Sequence, residues 1–390
     1  MAKHLKLRRP CPGADTRFAP TLLRAALALI FFLPLAVVVQ PSVAADFAPV
    51  VPGRAWEFPR DHGAHPEFKT EWWYFTGHLR SKDGRRFGFQ WTVFRSALRP
   101  LGGRLPEGSS AWRAEQVFLG HLALSDLDKK SFIFEENAAR SALGLAGAEL
   151  GRFKVWLPGF SAEAGEEDWQ IRAEGRDLEI LLRLTPSAEV LLHGDQGYSP
   201  KSQETGRASY YYSLTKLSTS GLLRLQDQAL EVNGEAWMDH EFGSGQLAET
   251  QGGWDWMGLP LGGKSALMVY RLRDRVDSAR DYLSGTYVDA EGRAHRLAAG
   301  DIQLKPLEYW TSPRSGGKYP IVWQVALPAH RLELRVTAAF PDQELDTRKS
   351  TQVVYWEGSV AVRGKAGDQA IDSRGYLEMT GYAGDFDKKL

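Results

Sequence analysis

The sequence predicts an all-β protein. Short runs rich in β-branched and aromatic residues recur along the chain, and turn sequences containing Gly, Asn or Asp separate them. No long segment carries apolar residues at helical spacing between capping residues. Many strands at close spacing are typical of sandwiches and barrels. The 390 residues exceed what one hydrophobic core usually serves, so we expect two domains.

The first predicted element is a hairpin, in which residues 71–79 and 86–95 flank the turn Lys82-Asp83-Gly84. The same pattern recurs further along the chain. It predicts strands at 168–184 around Glu174-Gly175, 230–238 around Asn233-Gly234, 282–297 around Ala290-Glu291-Gly292, 322–340, 353–362 and 375–382. Residues 138–150 are the one segment in which we expect a short helix.

Residues 1–45 have the pattern of a secretory signal, with a basic start, an apolar stretch from Ala25 to Val39 and small residues before Asp46. The apolar stretch is about 15 residues long, whereas a membrane-spanning helix needs about 20, so cleavage is favoured over an uncleaved anchor. We therefore expect export across the inner membrane, to the periplasm. The only cysteine, Cys11, would be lost with the signal, leaving no disulfide, thiolate nucleophile or Cys-ligated metal.

The charges of the chain balance, with 48 basic and 48 acidic side chains. Six of the basic groups and one of the acidic groups precede Asp46, so the remainder is mildly acidic and carries no basic run. A nucleic-acid partner is therefore not expected.

The expected domain boundary lies between residues 225 and 226, giving an N-terminal β domain at 46–225 and a C-terminal one at 226–390. Residues 194–209 are polar and rich in Gly and Ser, and they are too many for a hairpin turn. This segment is interpreted as a lid or as part of the junction between the domains.

The segment richest in chemically active residues begins at Trp237. On a strand, Asp239 and Glu241 share a face with Trp237, while His240 and Phe242 lie on the opposite face. Asp239 and His240 are therefore candidate catalytic residues. For His240, a core histidine bonded to a carbonyl or an acid is an equally good interpretation.

Asp255 lies between Trp254 and Trp256 and is the third candidate catalytic residue. If its side chain points inward, burial would raise its pKa, which is the condition for a general acid at neutral pH. The alternative is a structural carboxylate whose hydrogen bonds are all satisfied.

A second cluster contains His62, His65 and Glu71. These residues could be written as metal ligands, but a His-x-x-His pair outside a helix has no fixed geometry, so no metal is predicted. Glu71 begins the strand that carries Trp73 and is interpreted as a buried acid paired with an arginine such as Arg95 or Arg271, with a ligand-binding role as the alternative.

Other catalytic classes lack their sequence context. Gly243-Ser244-Gly245 is not placed between a strand and a helix as a serine nucleophile requires, and Gly252-Gly253 leads into a strand-like run instead of a phosphate-binding helix. No cofactor is predicted. The 13 tryptophans could line a cavity for an elongated apolar ligand, or they could form an ordinary aromatic core.

The chain resembles the AttH-like family, which includes carotenoid 1,2-hydratases (hydroxyneurosporene synthases). The matching strings are FPRDHGAHPEFKTEWWYFTGHL (58–79), FQWTVFR (89–95), GDQGYSPK with SYYYSLTKL (194–217), and AWMDHEFGSGQL with GGWDWMGLPL (236–261). The resemblance implies two lipocalin-like antiparallel β domains packed together. The resemblance extends to pericyclase-type relatives, whose pocket lies between the two β domains and holds no cofactor.

In the hydratases, the resemblance implies that a carboxylic acid protonates a terminal isoprenoid double bond and that water captures the resulting cation. Aromatic faces stabilise such a cation. The hydratase pattern includes a His-x-aromatic pair, matched here by His240 and Phe242, and a later Tyr-x-Asp pair. Tyr270 matches the tyrosine, but Leu272 stands where the acid belongs. The proton would then have to come from Asp255 or Asp239.

Three functions follow from the sequence. The first is binding of an elongated isoprenoid or lipid in a cleft between the domains, and the second is a cofactor-independent hydration, isomerisation or cyclisation of that ligand by an Asp general acid. The third is a partnership with a membrane-associated exporter complex, in which the tryptophans are only core. The predicted ligand-binding residues are Trp237, Phe242, Trp254, Trp256, Tyr270, Glu71 and Trp73.

Overall fold

The computed structural model describes residues 46–100, 113–245 and 247–384. The predicted signal segment, 1–45, lies outside them. Within the described residues every regular element is a strand or a single 3-10 turn, so the all-β prediction is confirmed. The 3-10 turns are Arg60–His62, Ala142–Gly144, Ser278–Arg280, Ala299–Asp301 and Pro328–His330. No helix in this part of the chain is long and apolar enough to cross a membrane.

Two antiparallel sheets make up the fold. The first contains β1 (Thr70–Ser81), β2 (Arg86–Ala97), β3 (Gln116–Asp126), β4 (Ser131–Arg140), β5 (Gly147–Ala148), β6 (Lys154–Leu157), β7 (Phe160–Ala164), β8 (Trp169–Glu174), β9 (Leu178–Pro186), β10 (Val190–Leu192), β11 (Tyr198–Pro200), β12 (Ala208–Leu225) and β13 (Gln228–Gly243). Its strands follow the order β4-β3-β2-β1-β13-β12-β9-β8-β7-β6-β5, with β10 and β11 paired to β12.

The second sheet is built from the remaining strands. They are β14 (Gln251–Gly262), β15 (Ser265–Asp274), β16 (Tyr282–Val288), β17 (Ala294–Leu297), β18 (Gln303–Thr311), β19 (Lys318–Leu327), β20 (Leu332–Ala338), β21 (Glu344–Thr347), β22 (Val353–Ala366) and β23 (Gln369–Met379). The order is β17-β16-β15-β14-β23-β22-β20-β19-β18, with β21 paired to β22.

Most of the predicted hairpins are present. β1 pairs with β2, β8 with β9, β16 with β17, β19 with β20, and β22 with β23. The first of these turns closes at Gly84, whose positive φ of 91° suits glycine.

Two local predictions were wrong. Asn233-Gly234 is not a turn, because both residues lie inside β13, and the turn that precedes β13 is at Gln226-Asp227. Gly234 serves close strand packing instead, since a Cβ there would lie 1.8 Å from the carbonyl oxygen of His78. The helix expected at 138–150 is replaced by the end of β4, a 3-10 turn and β5.

The first sheet bends around its own hydrophobic core. The Trp91 indole of β2 donates a hydrogen bond to the carbonyl of Arg172 on β8 at 3.0 Å. The Phe160 ring of β7 packs on Gly120 of β3, where a Cβ would lie 2.9 Å from the ring. The second sheet has a separate core around the buried Trp323 and Trp356. The expected pair of lipocalin-like β structures is therefore confirmed.

The outer faces of the two sheets pack against each other and form a third apolar layer. Its members include Tyr74, Tyr211 and Trp237 from the first sheet and Trp256 and Tyr270 from the second. Buried hydrogen bonds cross the layer, including His193 Nδ1 to Thr286 Oγ1 at 2.9 Å and His121 Nδ1 to the Tyr355 hydroxyl at 2.9 Å.

The change of sheet along the chain falls between Gly243 and Gln251, after β13 has completed the first sheet. The boundary predicted between residues 225 and 226 falls in the turn that joins β12 to β13, and residues 232–243 of β13 pair with β1.

Candidate functional site

A cavity of about 360 Å³ lies where the outer faces of the two sheets meet. Ten of its 22 lining residues are aromatic or aliphatic, and nine are charged. The residues that line it are Lys69, Thr70, Glu71, Trp72, Tyr74, Phe94, Arg95, Ser96, Leu119, Lys201, Arg207, Tyr211, Asp239, Glu241, Gly245, Leu247, Glu249, Trp254, Trp256, Tyr270, Leu272 and Glu378. Its volume is near the lower end of the range of small-molecule sites.

Alternation along β13 decides which of the candidate residues reach the cavity. Asp239 and Glu241 line it, and Trp237 packs in the same layer, as the sequence predicted for one face of this strand. His240 and Phe242 lie on the other face, in the interior of the first sheet. Of the two candidate catalytic residues in this strand, Asp239 therefore lines the cavity and His240 does not.

Asp239 is a buried carboxyl group with neutral hydrogen-bond donors around it. The Tyr211 hydroxyl donates to Oδ2 at 2.5 Å, the Trp237 indole donates to Oδ1 at 2.6 Å, and the Ser213 hydroxyl also donates to Oδ1. Burial raises the pKa of Asp239 to about 7, although these three donors act to lower it. Asp239 can therefore hold a proton near neutral pH.

The partners of Asp239 are themselves fixed by further hydrogen bonds. The Trp256 indole of the second sheet donates to the Tyr211 hydroxyl at 3.0 Å. On the other side, the imidazole of His193 lies 2.6 Å from the Ser213 hydroxyl. Asp239 thus belongs to a hydrogen-bond network that connects both sheets.

The polar segment 194–209 contributes to the wall of the cavity. Its Lys201 side chain is buried, and the ammonium group lies 2.8 Å from Glu241 and over the rings of Tyr211 and Tyr270. Burial alone would lower the pKa of Lys201, but the Glu241 carboxylate raises it above its usual value, so the lysine stays charged. Sequence reasoning did not single out Lys201, although it ends the string GDQGYSPK, because nothing in that string shows that the lysine is buried.

The second sheet adds a pair of glutamates that the sequence analysis did not single out. Glu378 of β23 lines the cavity, and Glu357 of β22 stands directly opposite it in the strand register. Glu378 is the penultimate residue of β23 and Glu357 lies inside a valine-rich strand, and neither position gave a signal of chemistry. Only the strand pairing reveals that they are neighbours.

Tyr270 and Leu272 of β15 both reach the cavity, as do Trp254 and Trp256 of β14. These three aromatic positions match the predicted ligand-binding residues. Leu272 occupies the cavity wall at the position where the hydratase pattern carries an acid, so this strand supplies no carboxyl group to the site.

Asp255 lies outside the cavity, although it was a leading candidate general acid. Its side chain points into the core of the second sheet, where Arg271 and Arg273 bind its oxygens at 2.7 and 2.6 Å. The Tyr382 hydroxyl donates to the same group at 2.9 Å. Two guanidinium groups and a hydroxyl satisfy this carboxylate, so the structural interpretation describes it and the catalytic one does not.

Glu71 borders the cavity, but its fully buried carboxylate belongs to a cluster in the interior of the first sheet. Arg95 Nε donates to Oε2 at 2.9 Å, and His65 and His240 donate to Oε1 at 2.8 and 2.9 Å. The predicted arginine partner is thus Arg95 and not Arg271. Burial opposes ionisation, but Arg95 and the two histidines hold the pKa of Glu71 well below its usual range.

The ligand atoms of His65, Glu71 and His240 lie within 4.8 Å of one another, which raises the question of a metal ion. The same atoms already form the hydrogen bonds described above, and the Arg95 guanidinium disfavours a second positive charge at Glu71. The cluster is therefore best described as a buried ion pair with hydrogen-bonded histidines.

Two predicted ligand-binding residues belong to this interior and not to the cavity. Trp73 is buried and donates to the carbonyl of His62 at 3.1 Å. Phe242 stacks on His65, with ring centroids 3.6 Å apart. Successive side chains of a strand point to opposite faces. Because Trp72 and Glu241 point toward the cavity, their neighbours Trp73 and Phe242 point into the interior.

Comparisons with solved structures extend the description of the fold. A protein described as an AttH from Nitrosomonas europaea is 35% identical, with a TM-score of 0.77, and the match covers 86% of this chain and 99% of that chain. Kievitone hydratase from Nectria haematococca is 11% identical with a TM-score of 0.67, covering 87% and 95% of the two chains. CghA in complex with Sch210972 is 11% identical with a TM-score of 0.53, covering 87% and 98%.

The last two likenesses concern the fold, because their identity is low. No curated protein matches the sequence. The family model described as AttH-like matches residues 49–382, which is nearly all of the described chain. Together with the Nitrosomonas europaea structure, this match shows that the chain belongs to the AttH-like family.

Proposed function

We propose that the protein binds an apolar molecule with a carbon–carbon double bond in the cavity between the sheets and catalyses the addition of water to that bond or its reverse. The observation that carries the proposal is Asp239, a buried carboxyl group with a pKa of about 7 on the wall of an aromatic cavity. Kievitone hydratase and CghA share the fold, and the name of the first denotes a hydratase.

The chemistry requires a proton donor, a stabilised cation and water. Asp239 donates its proton to the double bond, and the remaining carboxylate is stabilised by Tyr211, Ser213 and Trp237. The faces of Trp256 and the other aromatic rings of the cavity stabilise positive charge on carbon. Water then forms the carbon–oxygen bond. Acid-catalysed hydration of this kind needs only side chains and water.

The ligand is proposed to be an isoprenoid or another lipid with an apolar chain. A cavity of 360 Å³ suits a molecule of modest size or one end of a longer chain. A carotenoid would therefore enter with one end only, and carotenoid 1,2-hydratase activity is the narrowest form of the proposal.

The first experiment is mass spectrometry of an organic extract from the protein, purified from its native source without detergent. We expect a stoichiometric alkene, its alcohol, or both. The extracted alkene is then incubated in D2O with the wild type and with Asp239→Asn. The wild type should incorporate one deuterium on carbon together with one water, and the variant should bind the alkene but turn it over about 10²–10⁴ times more slowly.

Equal turnover by the two proteins would exclude Asp239 as the acid. Asp368→Asn provides the control, because this exposed acid lies outside the cavity, in the turn between β22 and β23. Its turnover should equal that of the wild type.

Binding without turnover is the second candidate function, and Leu272 is the observation that favours it. This residue replaces the acid of the hydratase pattern on the cavity wall. In that case the extract contains a ligand, no deuterium enters it, and Asp239→Asn retains it as well as the wild type does.

We also propose that the protein is exported, to the periplasm in a two-membrane cell, where it could deliver its ligand to a membrane-associated transporter. The support is the signal-like pattern of residues 1–45. N-terminal sequencing of the mature protein should begin after Ala44 or Ala45. A mature protein that begins at Met1 would contradict export by a cleaved signal.

A further inference from the structure

We propose that Glu378 is a second catalytic residue of the cavity, whose carboxylate accepts the proton that the attacking water loses. The inference rests on the proposed function and deepens it. It assigns the acid to the first sheet and the base to the second, so that the reacting carbon lies between them.

The position of Glu378 is the first argument. It lines the cavity from β23, half-buried, and Glu357 faces it across the β22–β23 register with only 1% of its surface exposed. Two acids directly opposite on one sheet face repel each other when both are ionised. Among the described residues, neither forms an ion pair with a Lys, Arg or His side chain.

The groups that face this pair are acids and neutral donors. The Tyr74 hydroxyl of β1 donates a hydrogen bond to Glu357 Oε1, and the Trp254 side chain of β14 donates to Glu378. The titratable side chains directed toward the pair from β1, β13, β22 and β23 are Tyr74, Asp239, Glu241, Tyr355 and Tyr376. The cationic residues that line the same cavity are Lys69, Arg95, Lys201 and Arg207, and in the described part of the chain none of them lies within ion-pair distance of either glutamate.

The surroundings of the two glutamates raise the pKa of both carboxyl groups. Burial raises the pKa of Glu378 to about 7. The negative charges of Asp239 and Glu241 also raise this pKa, whereas the hydrogen bond from Trp254 lowers it. Burial and the Glu378 charge raise the pKa of Glu357 well above its usual value. Near neutral pH the more deeply buried Glu357 keeps its proton, and Glu378 is the member that ionises into the cavity.

The proton balance of the reaction is complete with these two groups. The Asp239 O–H bond breaks and its proton forms a C–H bond with the π electrons of the alkene, leaving a carbocation. A water lone pair forms the C–O bond, and the excess proton on that oxygen passes to the Glu378 carboxylate. One alkene and one water give one alcohol. Release of a proton by Glu378 and uptake of one by Asp239 through solvent restore the starting state.

The first test needs no natural substrate. Dodecyltrimethylammonium carries a fixed positive charge like that of the intermediate, and dodecan-1-ol is a neutral probe with the same chain. Calorimetric binding is measured at about pH 8, where Glu378 is ionised. Glu378→Gln should weaken binding of the ammonium probe about tenfold and leave dodecan-1-ol unchanged.

Asp368→Asn is the control for this test, because it removes an exposed acid from the turn of the β22–β23 hairpin, at the opposite end from the glutamate pair and outside the cavity. It should leave the binding of both probes close to the wild type, and all variants should show the wild-type circular dichroism spectrum. If Glu378→Gln and Asp368→Asn bind the ammonium probe equally, Glu378 does not face positive charge in the cavity and the proposal is overturned.

The second test uses the alkene found in the extract. For the wild type, kcat should decline on both sides of about pH 7, since it requires protonated Asp239 and ionised Glu378. Glu378→Gln should lower kcat by about 10²-fold with little change in KM and should remove the decline on the acid side. A structural role would not alter the shape of this profile.

The two proposals fail in different ways. If Asp239→Asn keeps full turnover, the proposed acid is wrong, while the ammonium test still decides the carboxylate role of Glu378. If Asp239→Asn is inactive and Glu378→Gln keeps the wild-type kcat and pH profile, the proposed function stands and the role of Glu378 is refuted.

Discussion

The two faces of the first sheet each hold a buried carboxyl group, and the groups behave in opposite ways. Glu71, in the interior, has a guanidinium partner in Arg95 and is held ionised, with its pKa well below the usual range. Asp239, facing the cavity, has only neutral donors, and its pKa is raised to about 7. Both side chains are almost completely buried.

Burial alone therefore does not distinguish a structural acid from a reactive one. The partner decides, because an arginine compensates the charge and fixes the ionised form, whereas neutral donors leave the proton available. Asp255 follows the pattern of Glu71, with Arg271 and Arg273 as its partners.

The largest expected effect concerns the interior cluster. Arg95→Met leaves Glu71 buried without a compensating charge, so we expect a loss of about 3–5 kcal/mol in the free energy of unfolding at pH 7. Arg86→Gln, which breaks the more exposed pair with Asp128, should cost less than about 1 kcal/mol. Urea denaturation compares the two, and equal losses would contradict the comparison.

The cavity side should respond to pH. The pKa of Asp239 is about 7 in the folded state and about 3.8 in the unfolded state, so the folded protein binds more protons between these values. Its cost to stability is absent below about pH 4 and complete above about pH 7. Relative to the wild type, Asp239→Asn should therefore gain about 4 kcal/mol as pH rises across this window.

Unfolding curves of the wild type and this variant at several pH values provide the measurement. Only the slope of the difference matters, because Asn also loses hydrogen bonds at every pH. A difference that is constant with pH would show that Asp239 ionises normally.

Asp255→Asn should weaken the second core without affecting the cavity. It removes a charge-assisted hydrogen bond to Arg271 or Arg273, so the free energy of unfolding should fall by about 1.5–3 kcal/mol. Retention of the extracted ligand and its turnover should match the wild type. Loss of turnover in a folded variant would return Asp255 to the list of catalytic candidates.

The smallest effect is expected where the network crosses between the sheets. Trp256→Phe removes the hydrogen bond to Tyr211 and should cost about 1 kcal/mol of stability, with weaker retention of the ligand. The control, Trp323→Phe, removes a hydrogen bond in the second core, to the carbonyl of Pro320. It should lower stability and leave ligand retention unchanged. Weaker retention in both variants would show that Trp256 has no specific role at the cavity.

The fold was largely predictable because its signals are local. Alternation and turn residues identified most hairpins, and period-two alternation correctly put Asp239 and Glu241 on one face of β13. The failure at Asn233-Gly234 has a physical reason, since glycine permits both a tight turn and a close approach of strands, and the sequence does not distinguish these uses.

The candidate site was only partly predictable because it depends on pairings between distant residues. Alternation showed that Asp255 opposes its neighbouring tryptophans but not which side faces a cavity. Glu378 and Lys201 reach the site from a C-terminal strand and a loop, and no local pattern relates them to Asp239. The arginine partner of Glu71 was likewise a matter of strand register.

The pairing of β1 with β13 also constrains the order in which the strands can pair during translation. Thr70 bonds to the carbonyl of Gly243, 173 residues later, so β1 waits with one edge unpaired until most of the first sheet has been synthesised. β14 similarly finds its β23 partner only near the end of translation. Such non-local topologies fold slowly, and the cavity is completed last, when β23 arrives. A nascent or truncated chain therefore exposes unpaired strand edges, which favour aggregation.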